Sequence, residues 1–234
     1  MTLDDILTAA PVLPVVTIGA AEQAVPLARA LLAGGLPALE ITLRTPCALE
    51  AVRRIRAEVE GCQVGVGTVR SDEDLDRAAQ AGARFAVSPG LPPGLGQGPL
   101  PLPLLPGVMT PTEAMAAAER GYTRLKLFPA REAGGAALLQ ALAGPLPELR
   151  FCPTGGLGED DLPRFLALPN LLCIGGSWLA PAAALERGEW AQIEARARRA
   201  VAIAAGAPAA PATPGGPSAA GEEDPGAAIT EPRP

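Results

Sequence analysis

The chain has 18 arginines, one lysine (Lys126) and no histidine. Lys126 lies inside the apolar run RLKLFPA (124–130), where an ammonium is costly unless it is paired or gives up its proton. A neutral amine in a pocket adds to ketones and forms a Schiff base, which the permanently protonated guanidinium of arginine cannot do. A structural role, a lysine that snorkels outward or pairs with a buried acid, is the alternative. Arginine serves at every other basic position, so a lone lysine points to a task that arginine cannot perform. Without histidine, proton transfer near neutral pH falls to carboxylates, lysine, cysteine, the one tyrosine (Tyr122) or water. Glu40 in PALEITLR (37–44) is the only acid within the strand-like cores. It can carry protons, or pair with Arg44 four residues along, and the two roles are compatible. Arg44 offers a planar fork for a carboxylate, or is a strand-end surface charge. Thr154-Gly155-Gly156 and Gly175-Gly176-Ser177 carry glycines that let backbone N–H groups approach phosphate oxygens. One such pair is as readily a tight turn; two at neighbouring strand ends make a stronger signal.

The elements that must position these residues follow from the pattern of apolar runs. Strands are expected at 12–19, 37–44, 63–69, 84–90, 102–108, 124–130, 149–156 and 171–178. These runs are continuous rather than alternating, as in strands buried on both faces of a parallel sheet. Between most of them lie amphipathic stretches such as AEQAVPLARALLAGG and PTEAMAAAERGY, ending near glycine as helices do. Eight β-α units predict a single-domain (β/α)8 TIM barrel, whose site is built at the C-terminal strand ends. The candidate residues fall there, with Thr68 and Ser88 on the third and fourth strands. Parity places Glu40, Thr42 and Arg44 on one face of a strand, and Lys126 and Phe128 on one face of another. The stretch LPPGLGQGPLP (91–101) has four prolines and three glycines where a fourth helix would sit, so a loop or short helical turn is expected there. Residues 207–234 are dominated by Ala, Pro and Gly, which predicts a disordered tail after a folded domain of about 1–206.

Composition narrows the partners. The net charge of −6 argues against nucleic acid or an anionic membrane surface. No apolar run approaches the roughly 20 residues that span a bilayer. The N-terminal segment carries acids where an export signal carries bases, so a cytoplasmic protein is expected. Cys47, Cys62, Cys152 and Cys173 form no CxxC pair, and with no histidine a zinc site is not expected. They read as small apolar residues in a reducing compartment. Together, the candidates describe a pocket for a carboxylate, a ketone and a phosphate.

The runs LEITLRT (39–45), VGVGTV (64–69), AVSPG (86–90), KLFPA (126–130), FCPTGG (151–156) and CIGGSWL (173–179) closely resemble the 2-keto-3-deoxy-6-phosphogluconate (KDPG) aldolase family, also described as 4-hydroxy-2-oxoglutarate (KHG) aldolases. The likeness extends from about Val12 to Ile203. It implies a (β/α)8 barrel, a homotrimer, and class I chemistry without a metal or other cofactor. The expected substrate is a small phosphorylated 2-keto acid, cleaved to pyruvate and D-glyceraldehyde 3-phosphate. On the same resemblance Lys126 is the Schiff-base lysine and Glu40 the acid/base carboxylate. Arg44 and Thr68 hold the pyruvate carboxylate, and Pro89 and Phe128 line the pocket. Thr154, Gly155 and Gly156 form the seventh-strand wall, and Gly175, Gly176 and Ser177 the phosphate cradle. The rivals are the galactonate-derived epimer or unphosphorylated 4-hydroxy-2-oxoglutarate as substrate, a silent barrel that binds a phosphometabolite, and a lysine-independent barrel isomerase. The intact set of Lys126, Glu40 and Arg44 argues against the last two.

Overall fold

The computed structural model describes residues 2–206, so the tail expected at 207–234 lies outside the described residues. Its strands are β1 (Val12–Val16), β2 (Ala38–Thr42), β3 (Gln63–Gly67), β4 (Ala86–Val87), β5 (Leu104–Leu105), β6 (Gly107–Val108), β7 (Arg124–Leu127), β8 (Arg150–Pro153) and β9 (Ile174–Gly176). Helices α1 (Leu3–Leu7), α2 (Ala24–Ala33), α3 (Ala48–Glu58), α4 (Asp72–Gln80), α5 (Pro111–Glu119), α6 (Gly135–Leu142), α7 (Leu162–Leu166), α8 (Ala182–Glu186) and α9 (Trp190–Gly206) precede, separate and follow them. Every strand pairing is parallel, in the orders β5-β4-β3-β2-β1-β9 and β6-β7-β8. This order, with helices in the crossovers, is that of a TIM-barrel-like fold.

Two prolines explain where the ladders break. The run expected as one strand at 102–108 is two short strands, because Pro106 has no N–H to donate. Leu105 O accepts from Ser88 N on the β4 side, whereas Pro106 O accepts from Lys126 N on the β7 side. In β8 the N–H groups alternate: Thr154 N donates to Leu127 of β7, and Phe151 N donates to Asn170 on the β9 side. The donor missing at Pro153 would therefore have faced β9. There, β8 and the β9 run are joined only by the bridges Phe151–Leu171 and Thr154–Gly175.

Strand parity sorts the core into two layers. Val12, Leu39, Ile41, Val64, Val66, Leu125, Leu127, Phe151 and Ile174 pack outward with helix residues such as Leu27, Leu31, Val52 and Ile55. Leu13, Ala38, Phe85, Val87, Leu105, Cys152 and Cys173 form a separate cluster with Ile6 and Leu7 of α1. The short helix α1 thus contributes to the same apolar cluster as the inward strand residues. The Pro/Gly-rich stretch forms no helix, as expected. It is tied down from outside, by Gly96 N donating to Asp72 (2.8 Å) and Tyr122 OH donating to Gly96 O (3.0 Å).

Helix α1 is held by a fork: Arg124 Nε and Nη2 donate to the two carboxylate oxygens of Asp4, each at 2.6 Å. That hydrogen bonding from Arg124 holds the Asp4 carboxyl below its ordinary value of 3.8. A carboxyl with a depressed folded value adds stability that is present above pH 3.8 and lost as the pH falls through the depressed value. The pair is partly exposed, so after solvent screening it is worth about 0.5–1 kcal/mol. Thermal melts at pH 7 should place Asp4→Asn about 1–4 °C below the parent, and the gap should close in strong acid.

Candidate active site

Lys126 of β7 and Glu40 of β2 point into the interior from strands that are not sheet neighbours. Lys126 Nζ lies 3.5 Å from Glu40 Oε1, with side chains only 7% and 2% exposed. Glu40 Oε1 is buried and makes no hydrogen bond among the described residues, so the Lys126 ammonium at ion-pair distance is its one polar partner. Such a long buried pair is poorly compensated for the water that both groups lose. Gly67 makes the room: a Cβ there would fall 1.7 Å from Glu40 Oε1. The Phe128 ring centroid stands 5.2 Å from Nζ.

Arg44 does not pair with Glu40. Its Nε donates to Thr68 Oγ1 at 3.1 Å, its side chain is exposed, and it forms no ion pair among the described residues. Thr68 is the one non-glycine described residue with positive φ, at 63°. A β-branched residue there costs about 1–3 kcal/mol, a strain that persists where the surroundings impose it and that clusters at functional sites. The left-handed turn directly after β3 sets the hydroxyl against the Arg44 guanidinium.

A cavity of ≈ 430 Å³ opens beside Lys126 at the C-terminal strand ends. Arg44, Lys126, Phe128, Thr154, Gly155, Gly156, Gly175 and Ser177 stand on its wall, together from four separate strand ends. Five other sequence candidates do not. Ser88 is buried, and its Oγ accepts from Gly107 N at 3.4 Å. Glu40 is buried behind Lys126, and Thr68 reaches the wall through Arg44. A Cβ on Gly176 would collide with the Trp178 ring. Pro89 is exposed at the end of β4, with its carbonyl beside Gly107, the register partner of Lys126.

Two polar wall residues went unrecognised in the sequence. Thr17, just beyond β1, shares a 2.8 Å hydrogen bond with Thr42 Oγ1 and faces the cavity. It is the only polar residue in VLPVVTIG, a sufficient signal had the first strand been searched like the others. Trp178 follows the Gly-Gly-Ser turn directly and closes the same wall. Beneath the lysine, Cys152 is its register partner on β8, and Cys173 Sγ donates to Cys152 Sγ at 3.5 Å. All four thiols are free. Donation to Cys152 and burial raise Cys173 well above the ordinary thiol value, and burial pushes Cys62 up to about 12. Among the described residues no group of three His, Cys, Asp or Glu side chains is placed to hold a metal ion, and no helix is long and apolar enough to cross a membrane.

A buried amine beside a buried carboxylate, below a cation and two glycine turns, can form an imine with a 2-keto acid and move protons around it. Comparison with known proteins agrees. Residues 3–196 match the aldolase family described as KDPG and KHG aldolase. The 2-dehydro-3-deoxy-phosphogluconate aldolase of Dickeya dadantii is 49% identical over 201 residues, covering 85% of this chain and 94% of that protein. The crystal structure of KDPG aldolase from Legionella pneumophila, with pyruvate captured as a covalent carbinolamine intermediate, superposes with a TM-score of 0.83 at 39% identity, covering 86% of this chain and 98% of that one. The KDPG aldolase of Zymomonas mobilis ZM4, solved with 3-phosphoglycerate, gives a TM-score of 0.79 at 44% identity, covering 85% and 94%. This chain belongs to the KDPG and KHG aldolase family.

Proposed function

We propose that the protein is a class I aldolase that cleaves 2-keto-3-deoxy-6-phosphogluconate to pyruvate and D-glyceraldehyde 3-phosphate, and also splits 4-hydroxy-2-oxoglutarate to pyruvate and glyoxylate. The observation that carries this reading is the only lysine of the chain, buried 3.5 Å from a buried carboxylate at the edge of a cavity with two glycine turns on its wall. The covalent pyruvate carbinolamine in the Legionella relative supports covalent chemistry at an amine.

Lys126 Nζ, as the neutral amine, adds to the C2 ketone. Glu40 passes a proton to the carbinolamine hydroxyl, which leaves as water; Glu40 is left as the carboxylate, and the iminium that forms is the electron sink that a cofactor would otherwise supply. The C3–C4 bond then breaks and its electron pair enters the iminium to form an enamine. The C4 hydroxyl gives up its proton to Glu40, directly or through water, as the aldehyde forms. Protonation of the enamine at C3 and hydrolysis release pyruvate and restore the amine. Arg44, with its guanidinium braced by Thr68, holds the substrate carboxylate. Phe128 and Thr154 flank the imine, and the turns Gly155-Gly156 and Gly175-Gly176-Ser177 receive the phosphate. Pro89, at the end of β4 with its carbonyl beside Gly107, lines the pocket.

Residues 1–206 act as one catalytic domain, a closed eight-fold barrel in which β5 and β6 count as one strand interrupted by Pro106. It works as a cytoplasmic homotrimer, a state the family resemblance carries. The assay is pyruvate release from each keto acid. Faster turnover per KM with the phosphorylated substrate is expected; no pyruvate from either would overturn the assignment.

A further inference from the structure

The turn after β8 is clamped from behind by a residue outside the cavity wall. Gly155 and Gly156 take φ values of 105° and 70°, a conformation that glycine adopts without the strain of a side chain. Both of their carbonyls turn toward Arg131: its backbone N–H donates to Gly155 O at 3.2 Å, and its guanidinium Nε donates to Gly156 O. The Arg131 stem packs against the turn, since a Cβ at position 156 would lie 2.8 Å from Arg131 Cβ. Nη2 is held by Asp161 Oδ2 at 3.1 Å, and the same oxygen accepts from Gly158 N at 2.8 Å. Arg131 and Asp161 therefore grip the turn at both ends.

A trans peptide is planar, so its C=O and the N–H of the next residue point in opposite directions. Anchoring the Gly155 and Gly156 carbonyls at Arg131 turns the N–H groups of Gly156 and Leu157 the other way. Both residues stand on the cavity wall, and neither N–H donates to any group among the described residues. Successive free N–H groups in a left-handed turn form a concave site for an anion. The cation behind the Gly156 carbonyl also polarises that peptide in the direction that strengthens the Leu157 N–H as a donor.

We propose that Arg131, braced by Asp161, is a positioning residue that aims the Gly156 and Leu157 N–H groups at the substrate phosphate and so sets the preference for phosphorylated substrates. This rests on the aldolase reading above. It requires no contact between the guanidinium and the substrate.

The test is steady-state kinetics of the full chain with both keto acids, beside calorimetric titration with inorganic phosphate. Arg131→Ala should raise KM for the phosphorylated substrate by about tenfold, equivalent to about 1.4 kcal/mol, and weaken phosphate binding in parallel. Its kcat, and its KM for 4-hydroxy-2-oxoglutarate, should stay within about twofold of the parent. Asp161→Asn should move the same constants in the same direction by less. Arg131→Lys keeps the charge but loses the Nε that holds the Gly156 carbonyl, so it should behave like Arg131→Ala. Equal losses with both substrates, an unchanged KM in Arg131→Ala, or full rescue by lysine would each overturn the proposal. Failure of the parent to cleave either keto acid would overturn the aldolase reading instead, and phosphate binding to parent and variant would still decide the role of Arg131.

Discussion

Lys126→Arg should fold like the parent and lose turnover by at least about 10⁴-fold, the scale on which removing a covalent nucleophile acts. The charge is retained, so Glu40 keeps a cationic partner in a site where both side chains are more than nine-tenths buried. What is lost is the ability to become a neutral amine, since guanidinium stays protonated in proteins. Borohydride reduction in the presence of pyruvate reads the same step directly. The parent should gain one pyruvyl adduct, mapped to Lys126, because the chain has no second lysine and the N-terminus is its only other amine. The variant should gain none. An adduct elsewhere, or a variant that keeps substantial activity with a native melting profile, would return Lys126 to a structural role.

The second large effect is expected at Glu40. Glu40→Gln keeps the shape of the side chain beside Gly67 and removes its basicity. Proton transfer by a positioned side chain contributes about 10²–10⁴-fold, and kcat should fall on that scale with KM little changed. The borohydride adduct should still form at Lys126, but more slowly, which separates loss of proton transfer from loss of the nucleophile. Breaking one side of a buried pair also costs about 3–5 kcal/mol, so a lower melting temperature is expected. A variant that melts early yet turns over at the parent rate would mark Glu40 as a structural counter-ion only.

Much of the interior arrangement was legible before any coordinates. Side chains alternate across a strand, so the position of Lys126 in RLKLFPA and of Glu40 in PALEITLR already places them on defined faces. Glycine runs at strand ends mark close backbone approach, and Gly155, Gly156 and Gly175 do stand on the cavity wall. The prolines at 92, 93, 99 and 101 foretell a loop in place of a helix, since each removes a donor and restricts the residue before it.

Other features had no local signal. Arg44 lies four residues from Glu40 in the chain, yet its partner is Thr68, because the left-handed turn after β3 brings that hydroxyl to Nε while Glu40 turns inward to Lys126. Pro89 follows a strand that pairs over only two residues, and its carbonyl comes to lie beside Gly107, the register partner of Lys126. Arg131 sits in an exposed turn that resembles many others, and its grip on the Gly156 carbonyl exists only because the loops after β7 and β8 lie side by side.

The sequence by itself determined the chemical repertoire: one amine able to form an imine, one carboxylate within the strand cores, and no imidazole, on strands whose parity turns both groups inward. Only the tertiary structure decided which of them meet. A contact between Lys126 and Glu40 depends on the tilt and closure of strands far apart in the chain, and those follow from the packing of the whole interior rather than from any local run of residues.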